Sequence, residues 1–377
     1  MDELNHRNSI LHRLATSHSQ TGLEAADYAL DLSPQRCDLS LERLTTLLDK
    51  NMAHVPEMDI SHADFKRQLL DDAQQGLAAL SKGEVLSPKM MVGLEAIIIA
   101  DGSRPAVLIK QGRVDLDDPA LGAWRADADR YAAQISTVSK SVARISQTVS
   151  GTMRPIGTAF MVDRGLIVTN RHVLEAIASF DGTKSATDIA QCWTFTDGLC
   201  VDFGAEYGQN EDPARQFVPL AVRFCGPDPI NGKVDLTKLD MALIELKPEA
   251  DKPFPSPLKL MLAASDWRPD MSLYAMGFPA KPLGGYEYDN VLDKLYRGVF
   301  DVKRWSPGRI KLLPGSVVKD NLKRCFSHDC STLGGNSGSC LVDLDRDDGV
   351  VGLHFGGQQR MMNYAHVIQV VTEALNG

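Results

Sequence analysis

From Val142 onward the chain is written in short apolar runs, each cut off by Gly, Pro or Asp: Thr158–Val162, Leu166–Thr169, Met241–Leu246, Leu273–Met276 and Val350–Phe355. Runs this short, without helices alternating between them, do not build the parallel layers of an α/β fold. They predict an antiparallel sandwich or barrel. One amphipathic stretch, Val367–Leu375, reads as a closing helix.

The first part of the chain carries a different period. Residues 1–82 read as helical. Leu4, Leu11 and Leu14 share one helical face, Thr21 and Glu24 form a capping box ahead of Leu23–Leu30, and Pro34 breaks that run. Leu41, Leu44, Leu47 and Leu48 make one apolar stripe. Phe65, Leu69, Leu70, Ala73, Leu77 and Leu80 make another, ended by Gly83. Ala96–Ile99 and Ala106–Ile109 flank Asp101-Gly102-Ser103-Arg104-Pro105 and read as a β-hairpin. Asp118-Pro119 starts a further helix with Pro at its first position. Leu121, Trp124, Ala128, Tyr131, Ile135, Val138 and Val142 then step alternately by three and four. That is a heptad seam, expected to pack within the chain because it holds Ala128 and two aromatic rings. The expected organisation is a mainly helical N-terminal region with a short hairpin, residues 1–141, that regulates or packs on a second domain, residues 142–377.

Charge and cysteine usage narrow the function classes. Lys plus Arg is 40 against 49 for Asp plus Glu, a net charge of −9. Such a chain has no global attraction for nucleic acid or an anionic membrane, and neither is expected as a partner. No run approaches the ~18 unbroken apolar residues of a membrane-spanning helix. Met1-Asp2-Glu3-Leu4-Asn5-His6 lacks the basic stretch and apolar run of a signal peptide. The seven cysteines are scattered and odd in number. Together these features predict reduced thiols and a cytoplasmic location.

Three segments of the second part carry chemistry. In Gly157–Val162 and Leu166–Val173, two strands feed His172. In Leu239–Leu246, Asp240 stands at the mouth of an apolar strand, with Asp235 as a rival carboxylate five residues earlier. In Ser331–Ser339, glycines on both sides of Ser337 permit a tight turn that exposes the hydroxyl and lets neighbouring N–H groups converge on one spot. Each segment alone has an ordinary structural explanation. The order His, Asp, Ser gives them a joint one.

In that order, Thr169-Asn170-Arg171-His172, Asp240-Met241-Ala242-Leu243 and Gly335-Asn336-Ser337-Gly338-Ser339 resemble the three catalytic blocks of trypsin-like serine peptidases, over residues from about 143 to 377. The resemblance implies a mainly β, chymotrypsin-like double β-barrel with the site between the barrels, no cofactor, and a protein or peptide substrate. It casts Ser337 as nucleophile, His172 as the base that takes its proton, and Asp240 as the group that fixes the imidazole tautomer. The N–H groups of Gly335 and Ser337 would form the oxyanion hole. Asp240 is preferred to Asp235 because the apolar strand follows it directly.

The same resemblance bears on specificity. Recognition of Lys or Arg in this family needs a carboxylate six residues before the nucleophile, and Ser331 stands there. Thr332 and His354 are instead similar to the primary pocket of glutamyl endopeptidases, and viral proteases that cut after Gln use a similar pair. Both side chains can donate hydrogen bonds to a carboxylate or an amide. The expected cleavage is after Glu, or failing that Gln or Asp, and a protonated His354 would add charge to the binding of Glu. Phe355, Gly356 and Gly357 are expected to pair with the substrate backbone as an added strand.

Several departures from the family pattern inform the reading. Asn336 replaces the Asp that pairs with a new N-terminal amine in digestive zymogens, which argues against that switch. No cysteine flanks His172, so the usual disulfide is missing there. Cys325, His328 and Cys330 make too small a cluster for a metal centre, and no metal is expected. The chain reads as a bacterial cytoplasmic serine endopeptidase, restrained by its specificity, by its N-terminal region or by a dedicated regulatory partner. A non-enzymatic peptide-binding pseudoprotease and an esterase with the same nucleophile are the alternatives.

Overall fold

The structure is a computed structural model. It describes residues 32–376 apart from 57–59, 101, 103, 184–188, 232–233, 262–266, 283–286, 347–348 and 359–361. The helical face of Leu4, Leu11 and Leu14 and the Thr21–Glu24 capping box lie outside the described residues.

Three helices open the described chain: α1 (Pro34–Met52), α2 (His62–Lys82) and α3 (Pro88–Ala100). Ser61 caps α2 by accepting the Asp64 N–H at 3.1 Å, and Gly83 closes it in the left-handed region at φ 73°. Leu44, Leu47, Leu48, Leu69, Ala73 and Leu77 are buried, so both leucine stripes form core. The expected strand at Ala96–Ile99 is instead the end of α3, which is buried at every position from Val92 to Ala100. A short apolar run reads alike in a buried strand and a buried helix. The hairpin lies one step later, between β1 (Val107–Lys110) and β2 (Arg113–Val114). Gln111 and Gly112 join them, both at positive φ (52° and 72°), the conformation that suits a two-residue hairpin turn.

At Gly93 a Cβ would stand 2.4 Å from the Ala73 N atom, so glycine sets how closely α3 approaches α2. Gly93→Val is expected to cost about 2–3 kcal/mol by overpacking. Urea denaturation measures this, and an unchanged midpoint would contradict the close α2–α3 contact.

A 3₁₀ turn (Pro119–Trp124), α4 (Arg125–Arg130) and α5 (Ala132–Lys140) carry the heptad seam. Asp118 caps the turn by accepting the Ala120 N–H at 3.0 Å. Every seam residue from Leu121 to Val142 is buried. They do not ride one continuous helix, because Gly122 leaves helical space at φ 53° and Tyr131 separates α4 from α5. The seam faces the barrels: the Trp124 and Tyr131 rings each meet Tyr274 edge-on at 6.0 Å.

The first barrel comprises β3 (Val142–Val149), β4 (Thr152–Asp163), β5 (Leu166–Thr169), α6 (Arg171–Ile177), β6 (Ala178–Phe180), α7 (Ile189–Cys192), β7 (Trp193–Phe195), β8 (Leu199–Asp202), β9 (Gln216–Phe217), β10 (Pro219–Cys225) and β11 (Ala242–Leu246). Seven of its strands form an open half-barrel in the order β10-β11-β5-β4-β3-β8-β9, and β6 with β7 makes a separate ribbon. The second comprises β12 (Ser272–Gly277), α8 (Glu287–Leu295), β13 (Arg304–Leu312), β14 (Cys325–His328), β15 (Cys340–Asp343), β16 (Gly349–Gln358), β17 (Met362–Val367) and α9 (Gln369–Asn376). Its strands run β12-β15-β16-β17-β14-β13, and β13 pairs back onto β12, closing a six-stranded barrel.

Ile145, Phe203 and Ile244 fill the first barrel, and Leu273, Phe326 and Leu341 fill the second. Phe160, Val168, Met276, Trp305 and Leu353 form the core between them, joined by Val107, Trp124 and Val138 from the segment before β3. That segment also enters the sheet itself, since β1 pairs with β13. Helices α1–α3 share their core with Val291, Leu295 and Phe300 from the β12–β13 connection. Among the described residues no helix is long and apolar enough to cross a membrane.

Candidate active site

His172 lies in the first turn of α6, directly after β5. The neighbouring strand β11 runs antiparallel with Ala242 opposite Thr169, so the residues just before β11 meet those just after β5. This register brings Asp240 to His172. Asp240 Oδ2 lies 2.6 Å from His172 Nδ1, and Oδ1 accepts the His172 main-chain N–H at 2.9 Å. Asn170 Nδ2 donates to the Asp240 carbonyl at 2.9 Å. The Asp240 side chain is buried at 5% exposure, while His172 keeps 31% of its side chain open. Asp235 is engaged elsewhere. It accepts from the Thr237 hydroxyl at 2.6 Å and N–H at 3.1 Å, and these bonds hold its carboxyl below the usual range.

Ser337 comes from the second barrel, on the loop from β14 to β15. Gly335 and Gly338 sit at φ 86° and 90°. A Cβ at Gly338 would fall 1.9 Å from the Thr158 carbonyl oxygen, so both backbone conformation and space demand glycine there. The first barrel grips the loop through Thr158, whose N–H donates to the Ser337 carbonyl at 2.8 Å and whose hydroxyl donates to the Gly335 carbonyl at 2.7 Å. The Gly334 carbonyl accepts the Ala280 N–H at 2.6 Å. In a trans peptide the following N–H points the opposite way, so the Gly335 N–H is turned away from Ala280. Among the described residues neither the Gly335 N–H nor the Ser337 N–H has an acceptor. Asn336 is occupied locally, donating to the Leu333 carbonyl at 3.3 Å and accepting from Ser339 at 3.4 Å. No hydrogen bond joins Ser337 Oγ to His172 in this structure. Such contacts in free enzymes often tighten only with substrate in place.

The two residues expected in the specificity pocket differ in their surroundings. Thr332 is half-buried, and its hydroxyl makes no hydrogen bond among the described residues. His354 is 3% exposed, and its Nδ1 lies 3.1 Å from Nε2 of the fully buried His328. Burial pulls both rings below the usual imidazole range, His328 to about 4 and His354 well below its ordinary value, with the neighbouring rings of His328 and His172 adding to the effect on His354. His354 is therefore neutral at pH 7, so the charge that a protonated ring would add is absent. Nδ1 of His328 has no partner. The tautomer pair that avoids a buried unpaired N–H at His328 Nδ1 has His328 Nε2 donating to His354 Nδ1 and leaves the His354 proton on Nε2. Ser331 is turned away, its hydroxyl donating to the Arg104 carbonyl.

Phe355 is buried and stacks on the His366 ring at 4.3 Å. Gly356 and Gly357 pair with Tyr364 and Asn363 of β17, whereas the pairing of β16 with β15 ends at Leu353. Among the described residues, one edge of Phe355–Gly357 thus carries no paired strand. Cys325, His328 and Cys330 do not converge: their side chains face His366, His354 and the Leu273 carbonyl respectively. None of the seven cysteines is in a disulfide.

A family model described as a trypsin-like peptidase domain matches residues 157–353, more than half of the chain, and that span contains all three blocks. A probable serine protease of Lysobacter enzymogenes is 32% identical over 329 residues, 82% of each chain. The chain belongs to the trypsin-like peptidase family. Among solved structures, the active form of the Rv3671c protease from M. tuberculosis matches 64% of this peptidase and 82% of its own chain, with 17% identity and a TM-score of 0.38. The inactive form matches 65% and 91%, with 18% identity and a TM-score of 0.35. The peptidase is a serine peptidase built on a mainly β, chymotrypsin-like pair of barrels.

The roles of three residues around this site escaped the sequence reading. His328, weighed there only as a metal ligand, and His366 reach their partners across strands, and nothing in their local runs marks those contacts. Arg104, in the segment read as a hairpin turn, is a fully buried guanidinium 2.6 Å from Asp329, two residues before Ser331. A lone arginine between two apolar runs was the only signal the sequence held.

Proposed function

We propose that this serine peptidase is an endopeptidase that cleaves after Glu or Gln through a triad of Ser337, His172 and Asp240. The hydrogen-bonded His172–Asp240 pair is the observation that carries the reading. It sits on one barrel beside a glycine-bounded serine loop of the other, and that loop has two N–H groups without acceptors. Ser337 Oγ attacks the scissile carbonyl while its proton passes to His172 Nε2. Asp240 holds Nδ1–H and stabilises the imidazolium. The Gly335 and Ser337 N–H groups receive the oxyanion, about 3–4 kcal/mol for each donor. Collapse of the intermediate breaks the C–N bond, and His172 returns the proton to the leaving amine. Water, deprotonated by the same ring, then releases the acyl group.

In the pocket, the Thr332 hydroxyl and the neutral His354 ring would donate to the substrate side chain. Neutral donors hold Glu without a charge partner, and a carboxylate costs more to desolvate than an amide, so Gln should be cleaved with efficiency comparable to Glu. The sign for pH follows. A ring held well below its ordinary value stays neutral above it, so the Glu-to-Gln ratio should be flat from about pH 6 to 8. Cleavage-site mapping of a peptide library tests this, with His354→Ala expected to lose about tenfold or more on Glu and Gln substrates relative to others. A profile dominated by Arg, Lys or large apolar residues would reject the pocket and leave the triad untouched.

The N-terminal region stays on the active enzyme as a packing and controlling element, in a cytoplasm that keeps the thiols reduced, with a dedicated partner as substrate or regulator. The shared core and the β1–β13 pairing support retention of this region. Intact-mass measurement of active enzyme should show the region present; activity that appears only after its removal would overturn this.

A further inference from the structure

Every main-chain and side-chain polar group of Asp240 is engaged, and one partner comes from the opposite barrel. His172 takes both carboxylate oxygens and Asn170 takes the carbonyl, all within the first barrel. The Asp240 N–H donates instead to Nε2 of His366, at 3.0 Å, on β17 of the second barrel. His366 is 1% exposed. A ring that accepts at Nε2 carries its proton on Nδ1, and that atom lies 3.5 Å from Cys325 Sγ on β14. The Phe355 ring lies over the imidazole at 4.3 Å with 19° between the planes. The ring is thus held at one edge by the thiol and across one face by an aromatic, with its acceptor nitrogen aimed at the aspartate backbone.

We propose that His366 is a positioning residue of the triad: its neutral ring, braced by Cys325 and Phe355, accepts the Asp240 N–H and keeps the His172–Asp240 pair of the first barrel in register with Ser337 of the second. This rests on the triad reading above. His172 and Asp240 move with one barrel and the nucleophile with the other, so a tie ending on Asp240 itself governs the alignment that proton transfer needs. Misalignment on the ångström scale can cost about a hundredfold in rate.

The test uses the full chain and a peptide substrate with Glu or Gln before the scissile bond. His366→Leu is expected to lower kcat by about 10- to 100-fold, with KM nearly unchanged. His366→Gln, whose side-chain oxygen can accept the same N–H, is expected to recover most of the loss. A folded His366→Leu enzyme within about twofold of wild-type kcat, or a Gln variant as impaired as the Leu variant, would overturn the proposal. Nitrogen NMR on histidine-labelled wild-type protein decides the matter even where a variant fails to fold. The His366 ring should be protonated at Nδ1 and bare at Nε2 at pH 7, and a proton on Nε2 would rule the bond out. Failure of the triad reading looks different: Ser337→Ala would keep cleaving, whatever the His366 tautomer.

Discussion

Replacing Ser337 by alanine is expected to lower kcat/KM for peptide hydrolysis by about 10⁴-fold or more. The denaturation midpoint should hardly change, because the hydroxyl makes no hydrogen bond that the fold depends on. Asp240→Asn should be similarly severe for another reason. Asp240 accepts two bonds from His172, one at each carboxylate oxygen. An amide has only one oxygen, so the ring would be driven toward the tautomer with its proton on Nε2, which cannot take a proton from Ser337. Combining the two substitutions should add little, since the residues act as a unit. Steady-state kinetics with one defined peptide measures all three. A Ser337→Ala enzyme retaining a tenth of wild-type turnover would exclude Ser337 as the nucleophile.

Arg104→Leu is expected to be among the most destabilising single changes, costing about 3–5 kcal/mol at neutral pH, because it removes the principal charge partner of a buried carboxylate. Asp329 is 5% exposed and meets the Arg104 guanidinium at 2.6 Å, the Arg309 N–H at 2.7 Å and Lys311 at 3.8 Å. Burial would raise its carboxyl, but the Arg104 charge and hydrogen bond, with help from Lys311, outweigh that and hold it well below the usual carboxylate range. A depressed folded value means that the pair's stabilisation is complete above the unfolded value of about 4 and fades as pH falls below it. The gap between wild type and Arg104→Leu should therefore be widest at neutral pH and narrow in acid. Removing both charges, as Arg104→Leu with Asp329→Leu, should recover much of the loss. Urea denaturation at both pH values tests the set, and a single variant within about 1 kcal/mol of wild type would contradict the buried pair.

What could be read from the sequence followed from how local the signal was. Leu166–Thr169 appears unchanged as β5, because Gly165 and the Asn170 cap bracket it within one short run. The three blocks that resemble the family's catalytic motifs stood out for the same reason, since each packs a candidate side chain and its backbone requirement into four or five residues. Ala96–Ile99 was misread because uniform burial erases the periodicity that separates helix from strand. The heptad seam marked the buried positions, yet the break at Gly122 depends on a positive φ that an apolar pattern does not record. The neutrality of His354 was not legible, since it turns on burial and on a second buried ring 26 residues away that no local motif announces. His366 is the extreme case, 126 residues from the aspartate it holds and visible only once β17 and the β11 entry share a barrel interface.

The most direct test of the central claim is covalent labelling of the full-length peptidase with a fluorophosphonate, followed by intact-mass measurement and peptide mapping. The triad account requires a single adduct on Ser337, absent from Ser337→Ala and strongly slowed in His172→Ala. An adduct that persists in Ser337→Ala, or that maps to any other residue of the active wild-type enzyme, would contradict it.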